Sequence, residues 1–262
     1  MNARTWPIVT LLALVPGVAG AQVACGDVVT KGATVTLTAD LGPCDGSSAT
    51  DAALAVDGGT LDLGGRTVTC ADTDEDGDVP QGIVLTGKKS KLRNGTVAGC
   101  ANGVVLLDQG KHRVEGITAT GSVEHGVVAD DDGGKSKLVG VTATGNGNDG
   151  MNVESDKNKI TDAVTTGNVS DGIDLTSDAD KNKVTNARAE DNGDNGIEAG
   201  GDKNKLTDCT AIGNAANGID FGGEKNKVKG GTAQSNGGFD VNDCTDNKVK
   251  GLAFTTASPD CE

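Results

Sequence analysis

The sequence predicts an all-β solenoid of the parallel β-helix class, and three observations predict it. One phrase recurs, a glycine followed by an apolar–x–apolar triplet, at Gly82, Gly103, Gly126, Gly150, Gly172, Gly196, Gly218 and Gly238. The steps between these glycines are 21, 23, 24, 22, 24, 22 and 20 residues, and a fixed period of this length marks stacked repeats. Each copy also holds three short alternations, as in Met151-Asn152-Val153, Lys159-Ile160 and Val164-Thr165-Thr166. Period two is the strand signal, and the runs are too short and glycine-rich for helices. Finally, the position between the second and third alternations is only Asn, Asp or Gly: Asn94, Gly116, Gly140, Asp162, Asn186, Asp208, Gly230 and Gly251. Those types tolerate the left-handed backbone that a sharp corner needs. The expected fold has roughly ten coils of 20–24 residues, three short strands per coil, stacked about 4.8 Å apart.

Taken in order, residues 1–21 read as a secretory signal peptide, with Arg4, an apolar run from Ile8 to Val18, and Ala19-Gly20-Ala21 as the cleavage site. That run is too short to span a bilayer. Residues 22–60 form an N-terminal cap and first irregular coil, 61–251 the repeats, and 252–262 a closing segment. The product is expected in the secreted or periplasmic space, as a monomer. Export permits disulfides among the seven cysteines. Cys25 and Cys44 bracket the first segment, Cys70 and Cys100 share a phase in adjacent coils, and Cys244 and Cys261 flank the last segment, so these three pairs are the expected bridges. Cys209 falls in an inward column with Val141, Ala163 and Ala187 and is expected to be a free, buried thiol.

Stacking turns matching residues into columns. Ile83, Val104, Val127, Met151, Ile173, Ile197, Ile219 and Phe239 are expected to make an inward aliphatic column. Asn146, Asn168, Asn192, Asn214 and Asn236 make an inward polar one, whose amides can hydrogen-bond from coil to coil. The pattern Gly-Ile-x-Leu, followed by Asn-x-Val/Ile-x-Asn and a turn, resembles the right-handed parallel β-helix repeat of pectate-lyase-like proteins over residues of about 50 to 250. The resemblance implies right-handed winding and a superfamily of polysaccharide lyases, glycosidases, epimerases and many uncharacterised secreted proteins. It also implies that the outer face of the first strand is where calcium or catalytic carboxylates sit.

That outer row reads Val84, Val105, Val128, Asn152, Asp174, Glu198, Asp220 and Asp240. Like charges opposite one another destabilise a sheet, so cations, a basic partner, raised pKa values or lysines should offset the acidic end. Asp174, Glu198 and Asp220 are therefore the carboxylate candidates for catalysis, since glycosidic hydrolysis uses two carboxyls at about this separation. His125 with Asp131 is the acid–base pair that the sequence suggests. The polygalacturonase-like motif combination is not assembled, and Arg188, the sole candidate for a lyase arginine, has Glu190 as an ion-pair partner. Asp72, Asp74, Asp76 and Asp78 have the oxygen spacing of a calcium loop, with Gly77 at its sixth position, but the twelfth is Ile83 instead of a glutamate. Calcium is the one cofactor suggested.

Fifteen of the 23 Lys and Arg residues fall in a recurring Lys-x-Lys column. That is either a basic ribbon for an anionic polymer or a row neutralised by the preceding Asp156, Asp180, Asp202 and Glu224. Net charge −15 with one Trp, three Phe and no Tyr argues against nucleic acid. The expected function is a non-catalytic scaffold that binds polysaccharide or a cell-surface partner, with calcium. The alternative is a polysaccharide lyase or glycoside hydrolase using the acidic face on acidic glycans.

Overall fold

A computed structural model describes residues 23–45, 51–71, 79–108 and 110–261. In them the chain winds as a parallel β-solenoid. First strands build a ten-stranded sheet, from Val28–Thr30 through Met151–Val153 and Ile173–Leu175 to Val241–Asn242, hydrogen-bonded in chain order. Ten stacked strands make about nine full turns. Second and third strands form the other, 15-stranded sheet. In four coils these two merge into one eight-residue strand bent at its corner: Lys91–Ala98, Arg113–Thr120, Lys205–Ile212 and Lys227–Gln234. The corner residues Asn94, Asp162, Asn186 and Asp208 have φ of 60, 54, 53 and 51°, as the Asn/Asp/Gly restriction requires.

The core is the expected aliphatic column, with one correction. Ile219 pairs with Val241, not Phe239, and Phe239 is 40% exposed. The last coil keeps a pairing offset of 22 residues while its glycine comes after only 20, so Gly238-Phe239 arrives early. Asp240 consequently turns inward and is buried, instead of joining the outer acidic row.

The asparagine column is a continuous ladder. Asn146 Nδ2 donates to Asn168 Oδ1 (2.8 Å), Asn168 to Asn192 (2.9 Å), Asn192 to Asn214 (2.9 Å) and Asn214 to Asn236 (3.0 Å). The ladder ends on Asp240 Oδ1, which accepts from Asn236 Nδ2 at 2.9 Å. Asp240 Oδ2 also takes the backbone N–H groups of Thr255 and Thr256, tying the closing segment to the last coil. Burial pushes the Asp240 carboxyl up, but the bonds from Asn236, Thr255 and Thr256 outweigh it and hold it below the usual carboxylate range.

A second inward ladder was not anticipated. The lysine opening each Lys-x-Lys pair adopts left-handed backbone, with φ of 62° at Lys157 and 60° at Lys181. That turn sends the next side chain inward, so Asn158, Asn182, Asn204 and Asn226 are buried. Each Oδ1 takes the backbone N–H of the preceding rung, at 2.7 Å for Asn158 to Asn182 and for Asn182 to Asn204.

The three expected disulfides are present, Cys25–Cys44, Cys70–Cys100 and Cys244–Cys261, and Cys209 is free and buried. Burial raises the Cys209 thiol to about 11, which makes it inert. The repeating glycine exists for close approach: a Cβ on Gly172 would lie 2.5 Å from Gly196 O and 2.8 Å from Asn192 Nδ2. Gly172→Ala is expected to lower unfolding free energy by about 2 kcal/mol, as overpacking of a filled interior does, read from the urea midpoint. Among the described residues no helix is long and apolar enough to cross a membrane. The signal segment, residues 1–21, lies outside the described residues.

Candidate functional site on the first-strand sheet

The outward row of the ten-stranded sheet changes character along its length. Val84 and Val105 pack against Ala52 at the N-terminal end. From Asn152 onward the register partners are Asp174, Glu198, Asp220 and Asn242. Asp174 and Glu198 are side by side on adjacent strands, and so are Glu198 and Asp220. Asp220 is relieved at the far end, where Asn242 Nδ2 donates to its Oδ1 at 2.8 Å.

A second row, immediately before the repeating glycines, flanks this one: Asn102, His125, Asp149, Asp171, Asn195 and Asn217, with Phe239 next in register in the last coil, where the glycine comes early. Its side-chain oxygens cap the next coil. Asp149 Oδ1 accepts from Asp171 N (2.9 Å), Asp171 Oδ1 from Asn195 N (2.7 Å) and Asn195 Oδ1 from Asn217 N (3.0 Å). Asp149 and Asp171 thereby add two buried carboxyls that the sequence analysis missed. The signal was available, because their position repeats with the glycine.

The electrostatics single out a few groups. Burial, reinforced by the charges of Asp149, Glu198 and Asp174, outweighs the Asn195 N–H bond and pushes Asp171 up to about 8. Burial and the Glu198 charge push Asp174 up to about 7. Burial and the Asp220 charge raise Glu198, against a hydrogen bond with Asp171. Near neutral pH the Asp171 carboxyl therefore carries a proton, which it can donate to Glu198. No ion pair links Asp171, Asp174, Glu198 or Asp220 to a lysine or arginine among the described residues.

His125 does not make its ion-pair contact with Asp131. Its Nδ1 lies 3.1 Å from Asp149 Oδ2, although not in line for a straight hydrogen bond. Its Nε2 faces the amides of Asn148 (3.3 Å) and Asn152 (3.5 Å). The fold puts His125 in the row of Asp149, one coil away, and that coil-to-coil neighbour replaces the one nearer in sequence. Asp131 instead joins Asp130 and Glu154, whose ligand oxygens lie within 4.8 Å of one another. Burial and the neighbouring Asp130 raise Glu154. Three carboxylates are hard oxygen donors of the kind calcium takes, though fewer than its usual six to eight ligands. The suggested calcium loop, Asp72, Asp74, Asp76 and Asp78, lies outside the described residues. Arg188 pairs with Glu190, as expected.

Residues 81–254 match the family model described as the right handed beta helix region, and the chain belongs to that family. Its fold is similar to that of pectate lyase Pel9A, with a TM-score of 0.58 and 16% identity over 90% of this chain and 70% of that one. The periplasmic alginate epimerase AlgG is similar at a TM-score of 0.54 and 12% identity, over 90% of this chain and 80% of that one. The Dettilon tailspike protein gp208 is similar at 0.53 and 12% identity, over 87% of this chain and 60% of that one. No curated protein sequence matches.

Proposed function

We propose that this chain is an exported β-helix that binds polysaccharide along the acidic half of its first-strand sheet. One observation carries the proposal: carboxyls stand where amides would serve the fold equally well. Asn152 and Asn242 share the row of Asp174, and Asn195 accepts the same backbone bond as Asp171. Buried like charges with no cationic side chain cost stability, so their presence points to a task on that face. A protonated carboxyl donates to a sugar hydroxyl and an ionised one accepts from it, and the flat ribbon offers both along its length. The three disulfides suit an oxidising, exported setting. The Asp130, Asp131 and Glu154 cluster would hold calcium at the edge of this ribbon, with glycan oxygens completing its shell. Similar folds in a pectate lyase and an alginate epimerase support a glycan as the partner class.

One feature favours a second reading, catalysis. Asp149 faces His125 Nδ1 and leaves Nε2 as an acceptor, the orientation of a general base. Asp174, pushed up to about 7, would supply the acid. A screen of neutral and uronate polysaccharides, with and without millimolar calcium, separates the two. Binding predicts retention on a glycan that Asp174→Ala and Glu198→Ala abolish, with no new chain ends. New reducing or unsaturated ends that vanish in Asp174→Ala establish catalysis instead, and neither retention nor new ends on any glycan removes both. Calorimetry showing neither heat nor a shift in Tm on adding calcium removes the cation from the scheme.

A further inference from the structure

The lysine column is two rows, and only one of them is neutralised. In four successive coils the first lysine of the pair meets the acid before it: Lys157 with Asp156 at 2.9 Å, Lys181 with Asp180 at 3.4 Å, Lys203 with Asp202 at 3.8 Å and Lys225 with Glu224 at 3.3 Å. Those acids have a second duty, since each Oδ1 of Asp156, Asp180 and Asp202 takes the backbone N–H of the next acid in the row. The second lysine of each pair stands apart. Lys137, Lys159, Lys183, Lys205, Lys227 and Lys248 are direct register partners on consecutive parallel strands. All six are exposed, and none is in an ion pair among the described residues. The inward asparagine between the two rows leaves a groove of about 500 Å³, lined by Lys181, Lys183, Lys203, Lys205, Lys225 and Lys227 among others.

We propose that this free lysine row is a docking surface for a linear acidic polysaccharide, one bearing a carboxylate or sulfate on successive sugars, lying along the solenoid axis. Charge complementarity and pitch support it. Ammonium groups recur at the strand spacing of about 4.8 Å over six strands, a straight ribbon about 24 Å long. That repeat is comparable to one sugar of an extended glycan, so a regular polyanion meets the cations in step. A like-charged row across consecutive strands works against the sheet by itself, and a bound polyanion removes that repulsion. Nucleic acid fits less well, since none of the residues lining the groove is aromatic to stack on a base. The surface is distinct from the acidic sheet: the two belong to different sheets of the solenoid.

The test uses fluorescently labelled polygalacturonate, chondroitin sulfate, neutral dextran and a single-stranded DNA 20-mer at low and physiological salt. The whole chain should bind the two acidic glycans, more weakly as salt rises. A variant with Lys159, Lys183, Lys205 and Lys227 all changed to Gln should lose about tenfold or more in affinity, four exposed charge contacts being removed together. The corresponding four-Arg variant should keep it, and unchanged Tm in both shows that folding is intact. Any binding of uncharged dextran should be the same in the four-Gln variant and the parent, which separates this surface from the acidic sheet. Wild-type affinity for the acidic glycans in the four-Gln variant, or tighter binding of DNA than of either glycan, would each overturn the proposal.

Discussion

Asn192→Leu should destabilise the chain by roughly 3–5 kcal/mol, because it leaves several buried polar groups without partners at once. Asn192 Oδ1 accepts both Asn168 N (3.2 Å) and Asn168 Nδ2 (2.9 Å), while its own Nδ2 donates to Asn214 Oδ1 (2.9 Å) and Thr165 O (3.3 Å). Leucine nearly matches the volume but answers none of these groups, and no solvent reaches them. The loss should also spread. The amides all point the same way along the axis and discharge into the Asp240 carboxylate, which in turn holds Thr255 and Thr256. Cutting the ladder in the middle strands its C-terminal half from one neighbour, so hydrogen exchange should quicken in coils on both sides of residue 192. A control on the same coil, Lys183→Gln, is exposed and should stay within about 0.5 kcal/mol of the parent. Equal urea midpoints for the two variants would show that the ladder is dispensable.

Much of this was legible from spacing alone. The period fixes which residues are neighbours one coil apart, so the aliphatic column, the first asparagine ladder, the Asp174–Glu198 adjacency and the disulfide partners could all be read by counting. Counting failed where a backbone twist decides which way a side chain points. Lys157 at φ 62° turns Asn158 inward, and nothing in Lys-Asn-Lys distinguishes that from an exposed strand. It failed again in the last coil, where the glycine is early but the pairing is not, so Asp240 became a ladder terminus and Phe239 an exposed ring. At the candidate site, attention to strand residues alone passed over the row before the glycines. Asp131 lies six residues from His125 along the chain, but the acid that faces the imidazole is Asp149 in the next coil.

One carboxyl from each of the two rows sets the second large effect, a fall in stability with rising pH that two substitutions should remove. Asp171 and Asp174, ordinarily near 3.8, are pushed up to about 8 and about 7 by burial and by each other's neighbourhood of Asp149, Glu154 and Glu198, with His125 alone opposing at Asp174. Between the ordinary value and the raised one, the folded chain keeps a proton that the unfolded chain has released. Stability therefore falls as pH rises through this window and levels off above the raised values. Carboxyls held low, such as Asp240, act in the opposite direction and lose their contribution only in strong acid. Stability should accordingly peak under mildly acidic conditions. Asp171→Asn with Asp174→Asn keeps the acceptor for Asn195 N and reproduces the amides found elsewhere in both rows. It should flatten the decline and gain roughly 2–4 kcal/mol at pH 8, seen in urea titrations from pH 5 to 9. Parallel curves for parent and variant would mean that the two carboxyls ionise without strain. If the variant gains stability and loses glycan retention together, these side chains are kept at a cost to the fold because the ligand requires them.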